Sequence, residues 1–414
     1  MKASGISRAF KRLGPGLITG ASDDDPSGIA TYSQAGASTG LSTLWTALLT
    51  FPMMAAIQGM CARIGLVTSQ GLTATLRQYY PKPILYGMLL FSFPAITLNI
   101  GANIQAMGAV CHMIWPVVPV PVFCVGLTFL LMVVIIRYPY QKIAMILKWL
   151  CISLLLYILV PFMVDQNWKQ IAKDTFVPVI HYDKEFLSII VAILGTTISP
   201  YLFYWQANME AEDRLHNNII VVDKTILNNM KMDVNTGMLF SNIVMFFIIL
   251  TTGTVLYPAG IRQIDTVDQA AIALQPLAGK LTYLIFASGV LGTGLLAIPV
   301  LAGAQSYMLA ETLGWAEGLD KKFAQAKPFY ISIIISLLTG LLLQFLSVSP
   351  LKALLYTAIA YGLTAPVLIA VILHIGNNRK IMKENTNSWL SNLLGIITLI
   401  IMTVTAAALI WFLR

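Results

Sequence analysis

The sequence predicts an all-α integral membrane protein with eleven transmembrane helices. Three observations carry this. Of 414 residues, 57 % are hydrophobic and only 11 % are charged, whereas a soluble globular domain carries roughly 25 % charged residues. So few charges cannot cover a soluble surface, and lipid must cover much of this one. The chain also divides into apolar windows of about 20 residues, the length that crosses the hydrocarbon. Finally, the 26 Lys and Arg are unevenly placed: with the N-terminus in the cytoplasm, 18 fall on that side and 7 on the other, with Lys148 inside a span. Shifting the topology by one span inverts that bias, so it supports an odd number of spans, with the C-terminus outside.

In chain order the spans fall near 13–37, 41–64, 84–109, 116–136, 142–164, 186–207, 233–257, 281–312, 328–347, 351–375 and 389–413. The first is atypical, because Asp23-Asp24-Asp25-Pro26-Ser27-Gly28 lies within it. Small residues mark the first two spans and the eighth (Gly289, Gly292, Gly294 and Gly303), and such residues let helices approach where lipid gives no hydrophobic drive. The longest polar connections are about 165–185 and 208–232, and no separate soluble domain is visible.

Several function classes are excluded. The net charge of +8 comes from basic residues dispersed between apolar runs, which form no nucleic-acid face. Cys61, Cys111, Cys124 and Cys151 read as small apolar residues without metal-ligand spacing, and no two of the four histidines are spaced for zinc or haem. No nucleophile–base pair marks an enzyme, and no cofactor is expected. The N-terminal apolar run, broken by Pro15, Gly16 and three aspartates, does not read as a cleavable signal peptide.

The chemistry concentrates at two breaks. Pro26 lacks an N–H and disfavours helix at Asp25, and Gly28 relaxes the backbone further, so the first helix should unwind and restart near Ile29. Unwound backbone at membrane depth is tolerated where it lines a cavity or coordinates something, and a carboxylate there costs at least ~2.5 kcal/mol by insertion scales. Capping of the new helix is the ordinary alternative for the three aspartates, more so for Asp23 and Asp24 than for Asp25, which directly precedes Pro26 and faces the break itself. The sixth span carries Gly195-Thr196-Thr197-Ile198-Ser199-Pro200-Tyr201. Pro200 frees the Thr196 carbonyl, and Ser199 and Thr197 add hydroxyls, although a plain proline kink explains that stretch if taken alone. Pro26 and Pro200 lie 174 residues apart in spans one and six. Paired Gly/Pro interruptions in two five-span halves point to the substrate site of an inverted-repeat transporter, with repeat one about 13–164, repeat two about 186–375 and an extra helix at 389–413. Asp25, the carbonyls near Ser22 and Thr196 and the Ser199 hydroxyl would form an all-oxygen set, which suits hard divalent cations.

With these motifs the chain resembles the Nramp family of divalent metal-ion transporters. The resemblance rests on Gly14-Pro15-Gly16, Asp25-Pro26-Ser27-Gly28, Gly195 to Tyr204 and Leu301-Ala302-Gly303-Ala304-Gln305-Ser306. It implies a broken-helix fold of 5+5 spans plus one and a metal site made by helices one and six. The departures matter as much. Gly28 stands where the family has Asn, Thr196 where it has Ala, Ser199 where it has Met, and Tyr201 where it has His. Ala95 and Leu98 occupy the acidic proton-route positions before Ile100-Gly101, and a tenth-helix Gln falls at Tyr356. Losing the soft sulfur favours a harder ion, and losing titratable groups weakens proton coupling.

The reading is therefore a divalent-ion transporter of a bacterial plasma membrane, its substrate a partly hydrated Mg²⁺ and/or Mn²⁺. Asp25, Ser22, Gly28, Thr196 and Ser199 sit at the metal, and Asp23, Asp24, Thr197, Tyr201, Gln305 and Tyr356 form a gate or second layer. Glu210, Glu212 and Asp213-Arg214 form a solvated helix end or a cytoplasmic gate. The alternative is a broken-helix transporter for an amine or amino acid.

Overall fold

The computed structural model describes residues 14–138, 152–217, 219–345 and 348–413. It is helical, with no strand among the described residues. Twelve principal helices carry the fold: α1 (Pro15–Asp23), α2 (Pro26–Thr39), α3 (Trp45–Thr68), α4 (Lys82–Ile114), α5 (Val120–Arg137), α6 (Lys184–Thr197), α7 (Pro200–His216), α8 (Lys224–Val255), α9 (Thr282–Leu313), α10 (Lys327–Leu342), α11 (Pro350–Asn377) and α12 (Trp389–Leu413).

Among the described residues nine helical segments are long and apolar enough to cross a membrane, α6 and α7 together forming one of them. The first expected span appears as two short helices, α1 and α2. Of the expected fifth span, 142–151 lies outside the described residues, as do Lys2, Arg8, Lys11, Arg12, Lys142, Lys148, Cys151 and Arg414; Ile152–Ile158 is a 3-10 segment. The connection expected at 208–232 is mostly helix. α7 runs on to His216, and α8 already starts at Lys224, where the Asp223 carboxylate accepts the Ile226 N–H at 2.8 Å.

Both interruptions follow from proline. Pro26 and Pro200 are the first residues of α2 and α7, where the missing N–H would have had no helical partner anyway. The preceding residues are extended, with ψ 172° at Asp25 and 126° at Ser199, as the proline ring requires. The first helix thus restarts at Pro26, not near Ile29, because proline at the first turn fits a helix instead of delaying it.

The two broken helices are seated by glycines that nothing larger could replace. A Cβ on Gly20 would run into the backbone of Gly237 on α8, and one on Gly195 into the backbone of Ala358 and Gly362 on α11. Such close approach is how helices bind one another without hydrophobic drive. It fixes both breaks inside the bundle, where α4 and α9 close around them.

Candidate metal-ion site

Asp25 occupies the first break and is 1 % exposed. Its Oδ1 accepts the Gly28 N–H at 2.8 Å, so it caps α2, the role that the sequence offered more readily to its neighbours than to Asp25. Its Oδ2 accepts two side-chain amides of α4, Asn103 at 3.0 Å and Asn99 at 3.2 Å. Asn103 also donates to the Asn99 oxygen at 3.2 Å, which accepts the Thr357 hydroxyl of α11 at 3.3 Å. The Asn103 Oδ1 is buried and has no partner. Neither asparagine was singled out in the sequence, although polar residues four apart on an apolar helix share one face and are costly in a membrane.

The two breaks meet through one bond: the Tyr201 hydroxyl of α7 donates to the Ser22 carbonyl at 3.1 Å. The Ser22 hydroxyl turns back to Ile18 O at 2.8 Å. The Thr196 carbonyl is not left bare by Pro200, because the Ser199 hydroxyl donates to it at 2.5 Å and to Gly195 O at 3.1 Å. Thr197 likewise bonds Ile193 O at 2.8 Å. Hydroxyls thus satisfy the freed end of α6 locally, the ordinary fate of Ser and Thr at a proline break. Gly28 contributes its N–H to Asp25 and has no side chain to offer.

Asp23 and Asp24 face a different helix. Asp23 Oδ2 and Asp24 Oδ1 accept from the same Ser241 hydroxyl of α8, at 2.7 and 3.1 Å. Gln305 lies on α9 and donates to Thr97 at 2.6 Å and to Phe93 O at 3.2 Å on α4. Tyr356 is corrected outright: it is 58 % exposed, while Asp25 is buried. α11 instead presents Thr357, and Tyr361, whose ring lies 5.8 Å from that of Tyr201.

Beyond the breaks, Glu210 is not a solvated helix end. It is 4 % exposed and accepts Gln206 Nε2 at 3.0 Å, while Gln206 Oε1 accepts the Thr19 hydroxyl of α1 at 2.5 Å. Glu212 accepts Tyr307 Oη of α9 at 2.5 Å. The start of α1 is held by Asp233 of α8, which accepts Gly16 N at 2.7 Å and Gly14 N at 3.0 Å.

Among the described residues no three His, Cys, Asp or Glu side chains group to hold a metal, and the one ion pair, Lys352–Asp265 at 2.8 Å, is exposed. The aspartates at the break are therefore buried without a basic partner among these residues.

Paired half-helices meeting at a buried, uncompensated carboxylate inside an apolar bundle define a broken-helix membrane transporter, not an enzyme. Two known structures share this architecture. One is the Eremococcus coleocola manganese transporter in complex with an aromatic bis-isothiourea substituted compound, with TM-score 0.79 at 15 % identity, covering 98 % of this chain and 87 % of that one. The other is Mhp1, a nucleobase-cation-symport-1 family transporter, with TM-score 0.54 at 14 % identity, covering 97 % and 92 %. At these identities they establish the fold.

The chain belongs to the Nramp family, whose model, described as natural resistance-associated macrophage protein-like, matches residues 16–412. Similar curated proteins include the "Divalent metal cation transporter MntH" of Caldanaerobacter subterraneus, 22 % identical over 396 residues (95 % of this chain, 90 % of that protein). That of Clostridium acetobutylicum is 24 % identical over 417 residues (96 % and 90 %).

Proposed function

We propose that the protein is a divalent metal-ion transporter working by alternating access, and that its substrate is a hard, partly hydrated ion, Mg²⁺ and/or Mn²⁺. The observation that carries this is Asp25, a carboxylate buried at the meeting of two helix breaks with no basic partner among the described residues. A carboxylate buried in this way stays charged beside a compensating cation and otherwise takes up a proton. The similar proteins of Caldanaerobacter subterraneus and Clostridium acetobutylicum are divalent metal cation transporters by name.

The donors near the break favour a hard ion. Ser199 offers a hydroxyl oxygen where the family motif has sulfur, and the free amide oxygen is Asn103 Oδ1 on α4, supplied from across the break from Gly28. Oxygen donors suit Mg²⁺ and Mn²⁺, and Mg²⁺ in particular keeps several waters beside one or two carboxylates. In this reading Asp25, Asn103 and the Ser22 carbonyl approach the ion, Ser199 and Thr196 reach it from the sixth-helix break, and Tyr201 braces the two breaks. Proton coupling is weak or absent, since Ala95 and Leu98 cannot titrate. The N-terminus is cytoplasmic, and the two repeats rock about the breaks.

Flux into proteoliposomes with internal pH recorded tests this. Mg²⁺ or Mn²⁺ should move without a matching pH change, and Asp25→Asn should abolish the movement. Transport of an amine instead of either ion, or an Asp25→Asn variant as active as wild type, would overturn the assignment.

A further inference from the structure

We propose that Asp23, Asp24 and Ser241 form a second cation site, separate from Asp25, which takes a hard monovalent ion of the sodium class. Asp23 and Asp24 are as buried as Asp25 but turn towards α8 instead of α4. One hydroxyl, that of Ser241, stands between Asp23 Oδ2 at 2.7 Å and Asp24 Oδ1 at 3.1 Å. A hydroxyl carries a single proton, so it satisfies one of those carboxylates at a time. The outer oxygens, Asp23 Oδ1 and Asp24 Oδ2, are buried and have no donor at all.

A second unpartnered polar side chain lies at the same break. Tyr32 is fully buried, its hydroxyl has no partner, and its ring lies beside Gly28 and the Asp23 carbonyl. The break thus holds two bare carboxylate oxygens beside the C-terminal end of α1, and the ring that carries the bare phenol packs against its backbone at Gly28. The C-terminal end of a half-helix carries partial negative charge and is a cation-binding position in broken-helix transporters.

The chemistry selects the ion. Carboxylate and hydroxyl oxygens are hard donors that reject soft metals. A proton shared through Ser241 would leave Asp23 Oδ1 and Asp24 Oδ2 as bare as before, whereas a cation at their outer edge engages both. Charge then decides the valence. Ionised together beside bound cations, the three carboxylates would carry three negative charges, and a divalent ion at Asp25 would leave one for a monovalent ion. This valence count rests on the divalent reading of Asp25; the existence of the site does not.

Thermal unfolding of the purified full-length protein tests the site. Sodium chloride should raise the midpoint above choline chloride at equal ionic strength, in wild type and in Asp25→Asn alike. The gain should vanish in Asp23→Asn/Asp24→Asn, and Ser241→Ala, which keeps both carboxylates, should need about tenfold more sodium. Sodium without effect on wild type, an effect that survives the double variant, or saturation of the same site by Mg²⁺ in Asp25→Asn would each overturn the proposal. Loss of divalent transport together with an intact sodium effect would overturn the transport reading alone.

Discussion

The bond between Asp233 and the start of α1 gives a measurable handle on opening. α1 is a nine-residue half-helix. Its first N–H groups lack helical acceptors, and Asp233 supplies two at 3.0 and 2.7 Å. Hydrogen bonds to a charged group are worth about 1.5–3 kcal/mol net. For a carboxylate that is only partly buried we take about 2 kcal/mol for the pair, with water replacing some of the loss. If α1 seals the path between the break and the N-terminal side, Asp233→Ala shifts the sealed–open balance towards open by about 30-fold. Ala21 is buried in the structure, so Ala21→Cys, in a background without the native cysteines, would report the open fraction as a labelling rate. The expected result is labelling about 30-fold faster in Asp233→Ala, largely reversed in Asp233→Glu. A change below about threefold would mean that α1 is held elsewhere, through Thr19 and Gln206 or the Gly20–Gly237 contact, and would refute the anchor.

Two further outcomes follow from the same geometry. Tyr201→Phe removes the donor to the Ser22 carbonyl and leaves a buried acceptor bare, a loss of about 1 kcal/mol or more; the thermal midpoint should fall, and an unchanged midpoint would show that the breaks are not coupled through this bond. Glu317, in the connection after α9, is pushed above its usual 4.5 by burial and by the neighbouring Glu311 and Glu212 carboxylates. A carboxyl raised on folding favours the folded state below its unfolded value, and that contribution is lost as pH rises through the folded value. Thermal stability should therefore decline from mildly acidic to alkaline pH, and Glu317→Gln should flatten the decline; an equally steep profile in the variant would show that the slope originates elsewhere.

Nine of the expected spans were legible among the described residues because lipid imposes a length and a composition that hardly anything else imitates. Both breaks were legible because proline acts through its own covalent structure, whatever surrounds it. What surrounds the breaks was not. Asn99 and Asn103 carry no charge and match no motif, so only their four-residue spacing hinted at a shared face. Ser241 is one hydroxyl among many, and its meaning comes from the seating of α1 on α8 by Gly20 and Gly237. Tyr356 turns outward while the next residue of α11, Thr357, faces Asn99, because successive residues on a helix point about 100° apart.

Asp25 is where the local and long-range readings combine. A carboxylate has about four lone-pair sites, and three donors already approach those of Asp25: Gly28 N–H, Asn99 and Asn103. The Gly28 bond is the cap of α2, so surrendering it would fray the helix that aims the carboxylate. An ion that demanded both oxygens would have to displace the cap or the amides. An ion that takes one remaining site, fills its shell with its own water and accepts Asn103 Oδ1 displaces nothing. The crowding of Asp25 thus favours the same hard, partly hydrated ion that the absent sulfur favours, from an independent direction. It also makes a separable claim. Asn103→Leu removes one amide from Oδ2 and the free amide oxygen together, so binding of a hydrated ion should weaken about tenfold while the fold persists. Tighter binding in that variant would show that the amides compete with the ion, not share it.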